Sequence, residues 1–264
     1  MRYAVTRSVG DDLSACELSF VDRHPIDVVR ATAQHLAYQH ALREIGCELI
    51  VLPALPGHPD AVFVEDVALA LDEVAVITRP GAASRRAEST AVEAILCAHR
   101  PLLRIEPPGT LDGGDILRIG RKIYLGASAR SNAAGHAQLT ALLGPFGYQV
   151  HSVEIRDCLH LKSAVTQVAA NTVLIQPGWV DSSAFKAYGR IEVDGAEAHA
   201  ANALAIGDSV IYPANFPRTA ARLEAHGLRL RIVEVDELQK AEGAVTCCSL
   251  VFDSEFRSMH ATDV

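Results

Sequence analysis

No apolar run in the 264 residues approaches the length of about 18 that crosses a membrane as a helix. The N-terminus, Met1-Arg2-Tyr3-Ala4-Val5-Thr6-Arg7, has neither the apolar stretch nor the small-residue cleavage site of a secretion signal. A cytoplasmic protein with no membrane partner is the expectation. Lysine is scarce, at 4 of 24 basic residues, and the net charge is −8. Nucleic acid is not expected as a partner, because its binding needs a basic face that displaces counterions. An acidic field favours small cationic ligands instead, though modestly. Cysteines 16, 47, 97, 158, 247 and 248 form no Cys-x-x-Cys and no paired Cys/His spacing. No zinc site is expected, and at this size no disulfide framework. No linker or low-complexity stretch divides the chain, so residues 1–264 read as one domain. At 49% hydrophobic and 21% charged residues, its bulk has the composition of a folded core.

What is present is a repeated order of elements: strand, turn, strand, helix, strand. The first unit reads as strands over residues 62–71 and 74–78, a helix near 86–99 and a strand over 102–105. The second reads as 116–119, 122–125, a helix over 131–143, and 148–153. The third is 163–168, 171–175, a short helical stretch near 182–187, and 191–193. The fourth is 203–206, 209–212, a helix near 218–225, and 228–235. A fifth unit is split between the ends: a strand over 245–252, then 3–6, a helix near 25–45, and 48–52. A unit shared by both termini predicts an α/β ring that closes on itself, since closure removes open edges. An ordinary mixed sheet is the alternative. Asp60, Asp112, His160 and Cys247 all fall just before or early in the first strand of a unit. Around a common axis they would converge.

Each of these residues has a plain reading and a chemical one. In Thr246-Cys247-Cys248-Ser249, neighbours in a strand face opposite sides, so one sulfur can face a cavity while the other packs. Both are then buried thiols, or Cys247 is a nucleophile in need of a base. His160 is structural, or a general acid/base at the mouth of a strand. Asp112, in Leu111-Asp112-Gly113-Gly114-Asp115, caps a turn or orients the imidazole. Asp60, Glu65 and Asp66 are solvated edge acids, or a carboxylate pocket for a guanidinium. Arg85 and Arg130 stand at equivalent places in units one and two. They are surface residues, or a clamp on a carboxylate.

Together the motifs resemble the dimethylarginine dimethylaminohydrolases of the guanidino-group-modifying superfamily. The resemblance rests on Pro59-Asp60 with Phe63-Val64-Glu65-Asp66-Val67-Ala68, and on Ile77-Thr78-Arg79-Pro80-Gly81-Ala82 with Ser84-Arg85-Arg86. It continues through Leu111-Asp112-Gly113-Gly114-Asp115, His160-Leu161-Lys162-Ser163 and Thr246-Cys247-Cys248-Ser249. The motifs come in the family's order over nearly the whole chain. The resemblance implies a five-bladed β/α propeller of pseudo-symmetric units. It implies a hydrolase taking Nω-methylated L-arginine to L-citrulline and methylamine or dimethylamine, through a covalent cysteine thiouronium. It implies Cys247 as nucleophile, His160 as general acid/base and Asp112 as the acid orienting it. Asp66 and Glu65 would surround the guanidinium, Arg85 and Arg130 would hold the substrate carboxylate, and Asp60 the α-ammonium. The Leu18 carbonyl would contact the same ammonium, with residues 10–17 read as a lid or as a surface loop. No metal or organic cofactor is implied. The chain departs from the family at Ala241 and Glu242, where an aliphatic residue and Asp are usual. The pocket beside the methylated nitrogens is therefore expected to differ in shape. The alternatives are a compact arginine deiminase, an arginine-binding protein without activity, and a Cys/His zinc hydrolase. Classical bacterial deiminases carry an added helical domain, and amidinotransferases are longer. The sequence does not give the oligomeric state, with a homodimer left open. Residues after Phe256 are expected to fray.

Overall fold

The computed structural model describes residues 1–255. The expectation for the tail after Phe256 lies outside them. The chain opens with strand β1 (Arg2–Arg7), helix α1 (Val28–Glu44) and strand β2 (Glu48–Leu52). The next blade is β3 (Ala68–Ala70), β4 (Ala75–Ile77), α2 (Ser89–Cys97) and β5 (Leu102–Arg104). Then come β6 (Ile116–Ile119), β7 (Lys122–Ala127), α3 (Ala133–Leu143) and β8 (Gln149–Glu154). A one-turn helix α4 (Leu161–Ala164) leads into β9 (Val165–Ala169), β10 (Thr172–Ile175) and β11 (Gly189–Glu192). The last full blade is β12 (Leu204–Ile206), β13 (Ser209–Pro213), α5 (Pro217–Ala225) and β14 (Arg229–Val233). A short helix α6 (Asp236–Gln239) precedes β15 (Leu250–Asp253).

These strands form five three-stranded sheets. In each, the middle strand pairs antiparallel with one neighbour and parallel with the other. The fifth sheet joins the ends: Val5 of β1 pairs with Leu250 of β15 on one side and with Ile50 of β2 on the other. Each parallel pair needs a crossover, which the intervening helix or turn supplies. The strands β3, β6, β9, β12 and β15 all line one central cavity of about 500 Å³. The arrangement is the ring expected from the repeats and the five-bladed propeller that the resemblance implies, closed by the termini. Helix α1 is capped by Asp27, whose side chain accepts the Arg30 N–H at 3.0 Å. Its Tyr38 is fully buried, and the Tyr38 hydroxyl bridges the Val245 carbonyl and Ser249 Oγ at 2.7 and 2.6 Å. The outer helix thereby anchors the turn that carries Cys247. Among the described residues, no helix is long and apolar enough to cross a membrane.

Two expected strands are shorter than the pattern suggested. Residues 62–71 hold only β3; before it the chain makes two tight 3-10 turns, Pro59–Val62 and Val64–Val67. A strand would give Glu65 and Asp66 only the two faces of a buried sheet, whereas the turn delivers each to its own cation. Residues 245–248 likewise form a turn, and β15 begins at Leu250.

Candidate active site

The chemistry-bearing residues sit at the ends of the turns that enter the first strand of each blade. Asp60 lies before β3, Asp112 before β6, His160 before β9 and Cys247 before β15. Seven of the expected residues line one cleft: Asp60, Asp66, Arg85, Arg130, His160, Ala241 and Cys247. Phe63 and Glu17 line it too.

His160 Nε2 lies 3.1 Å from Asp112 Oδ2, and Nδ1 lies 4.0 Å from Asp66 Oδ1. Burial lowers the affinity of His160 for its proton, but Asp66, Asp115 and Asp112 outweigh it and lift the imidazole to about 9. The ring is therefore an imidazolium at neutral pH, donating Nε2–H to Asp112. Asp112 is fully buried, and its other oxygen accepts the Gly81 N–H at 2.8 Å. Behind it, buried Asp115 accepts the Leu161 N–H at 3.0 Å and the hydroxyls of Ser128 and Ser131. Burial outweighs those bonds and raises the Asp115 carboxyl to about 6.

The glycine pair is required by space. A Cβ on Gly113 would lie 1.9 Å from the Glu65 carbonyl oxygen, and one on Gly114 would lie 2.5 Å from His160 Nδ1. The ring rests on the Gly114 backbone. Gly114→Ala is expected to displace the imidazole and lower kcat about a hundredfold, since an error of about 1 Å costs that much. Steady-state kinetics on the folded variant check this; a kcat within threefold of the parent contradicts it.

Cys247 is half-buried and faces the cleft, while Cys248 packs in the core with Sγ on the Ala244 carbonyl at 3.3 Å. The two sulfurs thus diverge as expected, although from a turn. Burial pushes the Cys247 thiol up to about 12, with Glu65 and Asp66 adding to it. The ligand-free site pairs a neutral thiol with an imidazolium. Alkylation of Cys247 by iodoacetamide, followed on its own peptide, is expected to keep rising with pH well past the ordinary thiol value of about 8.5. A plateau below pH 8 contradicts this.

Asp66 and Glu65 part company. Asp66 Oδ1 accepts the Gly114 N–H at 2.9 Å, and Oδ2 pairs with Arg85 Nη1 at 2.6 Å. Burial opposes its charge, but His160 and Arg85 hold it below the ordinary carboxylate value. Glu65 is absent from the residues lining the cleft. It sits on the central-cavity side, paired with Lys162 and accepting the Thr246 hydroxyl at 2.8 Å. Its own N–H donates to the Cys247 carbonyl at 3.2 Å. Asp66 thus lines the cleft, while Glu65 supports the cysteine turn from behind.

Arg85 lines the cleft but is mostly engaged. Nε and Nη2 bind Glu88, Nη2 also donates to the Asp60 and Phe63 carbonyls, and Nη1 holds Asp66. Arg130 reaches the segment just after residues 10–17, with Nη2 on Ser19 Oγ at 3.2 Å. Asp60 accepts the Glu17 N–H at 3.1 Å, and burial raises its carboxyl despite Arg85. Leu18 is half-buried against the core beside the cleft and does not line it.

Asp66, Asp112 and His160 bring ligand atoms within 4.8 Å of one another, close enough for a metal ion. Their atoms already serve one another, Arg85, Gly81 and Gly114.

Sequence reading missed Asn202. Its amide receives the Thr246 N–H at 3.1 Å and donates to the Thr246 hydroxyl and the Lys162 carbonyl, each at 3.0 Å. It precedes β12, the same phase as the other four, so the repeat itself was the signal.

A profile of the family described as N,N dimethylarginine dimethylhydrolase, eukaryotic, matches residues 21–250. The chain is 37% identical over 248 residues to an N(G),N(G)-dimethylarginine dimethylaminohydrolase of Pseudomonas aeruginosa, covering 93% of this chain and 96% of that one. It is 38% identical over 248 residues to one of Streptomyces coelicolor, covering 94% and 95%. A solved structure of the Pseudomonas aeruginosa protein, a cysteine-to-serine variant in complex with citrulline, superimposes with a TM-score of 0.90 at 34% identity. That match covers 95% of this chain and 98% of the other.

Proposed function

The chain belongs to the dimethylarginine dimethylaminohydrolase family, and from that premise we propose that it hydrolyses Nω-methylated L-arginine to L-citrulline and methylamine or dimethylamine. The observation that carries the reading is one cleft bordered by a thiol, an imidazolium and a buried carboxylate.

A guanidinium carbon is a poor electrophile, and a covalent step divides the difficulty. The substrate's cation lies between Asp66 and Cys247, where its charge offsets the acids that keep the thiol protonated. Cys247 loses its proton to solvent and the thiolate adds to the guanidinium carbon. His160 gives the departing amine the ring proton that Asp112 does not hold, and the C–N bond breaks. A thiouronium on Cys247 remains, with a neutral imidazole beside it. His160 then takes a proton from water as the oxygen adds to the same carbon. The C–S bond breaks as the added hydroxyl gives up its proton, the departing thiolate takes up a proton, citrulline leaves, and the neutral thiol and imidazolium of the free site are restored. Asp112 holds the ring and favours its charged form. Asp60, Arg130 and the remaining Nη1 hydrogen of Arg85 receive the α-amino acid end, with the Leu18 carbonyl brought up by the lid. The assignment needs no metal or organic cofactor. We take residues 1–264 as one catalytic domain. A cytoplasmic location is part of the proposal, supported by six free thiols.

The test is turnover of asymmetric dimethylarginine and of arginine in separate reactions. Equal amounts of citrulline and dimethylamine from the first support the reading. Citrulline and ammonia from arginine alone would make the protein a compact deiminase. Binding without turnover of either would make it a binding protein.

A further inference from the structure

In its closed arrangement the cleft holds about 20 Å³, room for about one water. No arginine-sized ligand enters without movement of the segment beside it. Among the described residues, 18–26 form no backbone–backbone hydrogen bond. The backbone N–H groups of residues 19–21 are instead gathered by one side chain. Glu242 Oε1 accepts the N–H groups of Ser19 and Val21 at 3.0 and 2.8 Å and that of Phe20, and Oε2 shares the Ser19 N–H at 3.0 Å. Three successive N–H groups around one carboxylate make an anion nest, with each bond strengthened by the charge. Glu242 itself has φ +57°, one of two non-glycine residues in the left-handed region among the described residues. Such strain persists where the surroundings enforce it and marks functional sites. Glu242 also follows Ala241 in the cleft wall.

We propose that Glu242 is a positioning residue: its carboxylate latches residues 19–21 over the cleft, and so governs substrate entry and the placement of the Leu18 carbonyl at the ammonium end. The second part rests on the hydrolase reading above; the latch does not. Glutamine at 242 keeps the shape but loses the charge that strengthens the bonds from all three N–H groups. Proline at 20 removes one donor from the lid side, on an exposed residue.

The experiment compares the parent, Glu242→Gln, Phe20→Pro and the double variant. The latch is read without turnover, as the rate of trypsin cleavage after Arg23. It is read again by the fluorescence of Trp179, the chain's one tryptophan, which shares a cavity of about 280 Å³ with Phe20, Val21 and Glu242. Each single variant is expected to be cleaved about tenfold faster, and the double variant no faster than the quicker single, because both remove one interaction. With dimethylarginine, KM is expected to rise about tenfold and kcat to stay within threefold. Unchanged cleavage in both single variants overturns the latch. Additive effects in the double variant overturn it too. Faster cleavage with KM unchanged and kcat lowered would overturn the positioning role and leave Glu242 acting on the chemistry. Failure of the parent to turn over dimethylarginine removes the hydrolase reading, while the cleavage and fluorescence results still decide the latch.

Discussion

Cys247→Ser is expected to lose citrulline formation by at least about 10⁴-fold while folding as the parent does. The hydroxyl is close in size to the thiol, and the site is built by other residues: Tyr38 and Asn202 hold the turn, and Glu65 N–H holds the Cys247 carbonyl. What is lost is the acidity. The substrate's cation can bring a thiol displaced to about 12 toward ionisation, but a hydroxyl starts several units higher. Cys248 cannot substitute, because it is fully buried and faces away from the cleft. The thermal midpoint is expected to move by no more than about 2 °C. Activity within tenfold of the parent would remove Cys247 from the nucleophile's role.

Arg85→Met carries the largest expected effect on stability. The guanidinium is buried between Asp66 at 2.6 Å and Glu88 at 2.9 Å. Its removal leaves Glu88 without its cation and Asp66 with only the His160 imidazolium, at 4.0 Å. Breaking a buried pair in this way costs about 3–5 kcal/mol. In a chain of this size that lowers the thermal midpoint by about 10 °C. Adding Glu88→Leu is expected to recover part of the loss, because one unpaired acid is then replaced by apolar volume. A calorimetric scan decides between this and the simpler picture of a substrate clamp. If the midpoint is unchanged and only KM rises, Arg85 is a clamp and the ion-network account is wrong.

The ring was legible because its signals are local. Glu48–Leu52 and Ile116–Ile119 have the bounds that the apolar pattern gives. The turns at Gly120-Arg121 and Gly207-Asp208 punctuate their blades as read. The shared phase of Asp60, Asp112, His160 and Cys247 pointed to one axis, and three of these four border the cleft while Asp112 holds His160 from behind. What the pattern hid depends on distant partners. Residues 62–71 look like one apolar strand with two acids. Only the cations at 85 and 162 explain the turn there, and neither is close in sequence. The same holds for Arg85, whose partners are buried carboxylates and carbonyls, and for Glu242, whose nest lies over 200 residues away. The departure at Ala241 and Glu242 was visible, but its consequence for the lid was not.

The central claim is a covalent intermediate on Cys247. The direct measurement is an acid quench of the enzyme during turnover of asymmetric dimethylarginine, followed by mass analysis of the peptide carrying residue 247. The account predicts an adduct equal in mass to the substrate less dimethylamine, on Cys247 and not on Cys248, present only while substrate remains. Citrulline accumulating with no adduct at Cys247, or with the adduct on another residue, would contradict it.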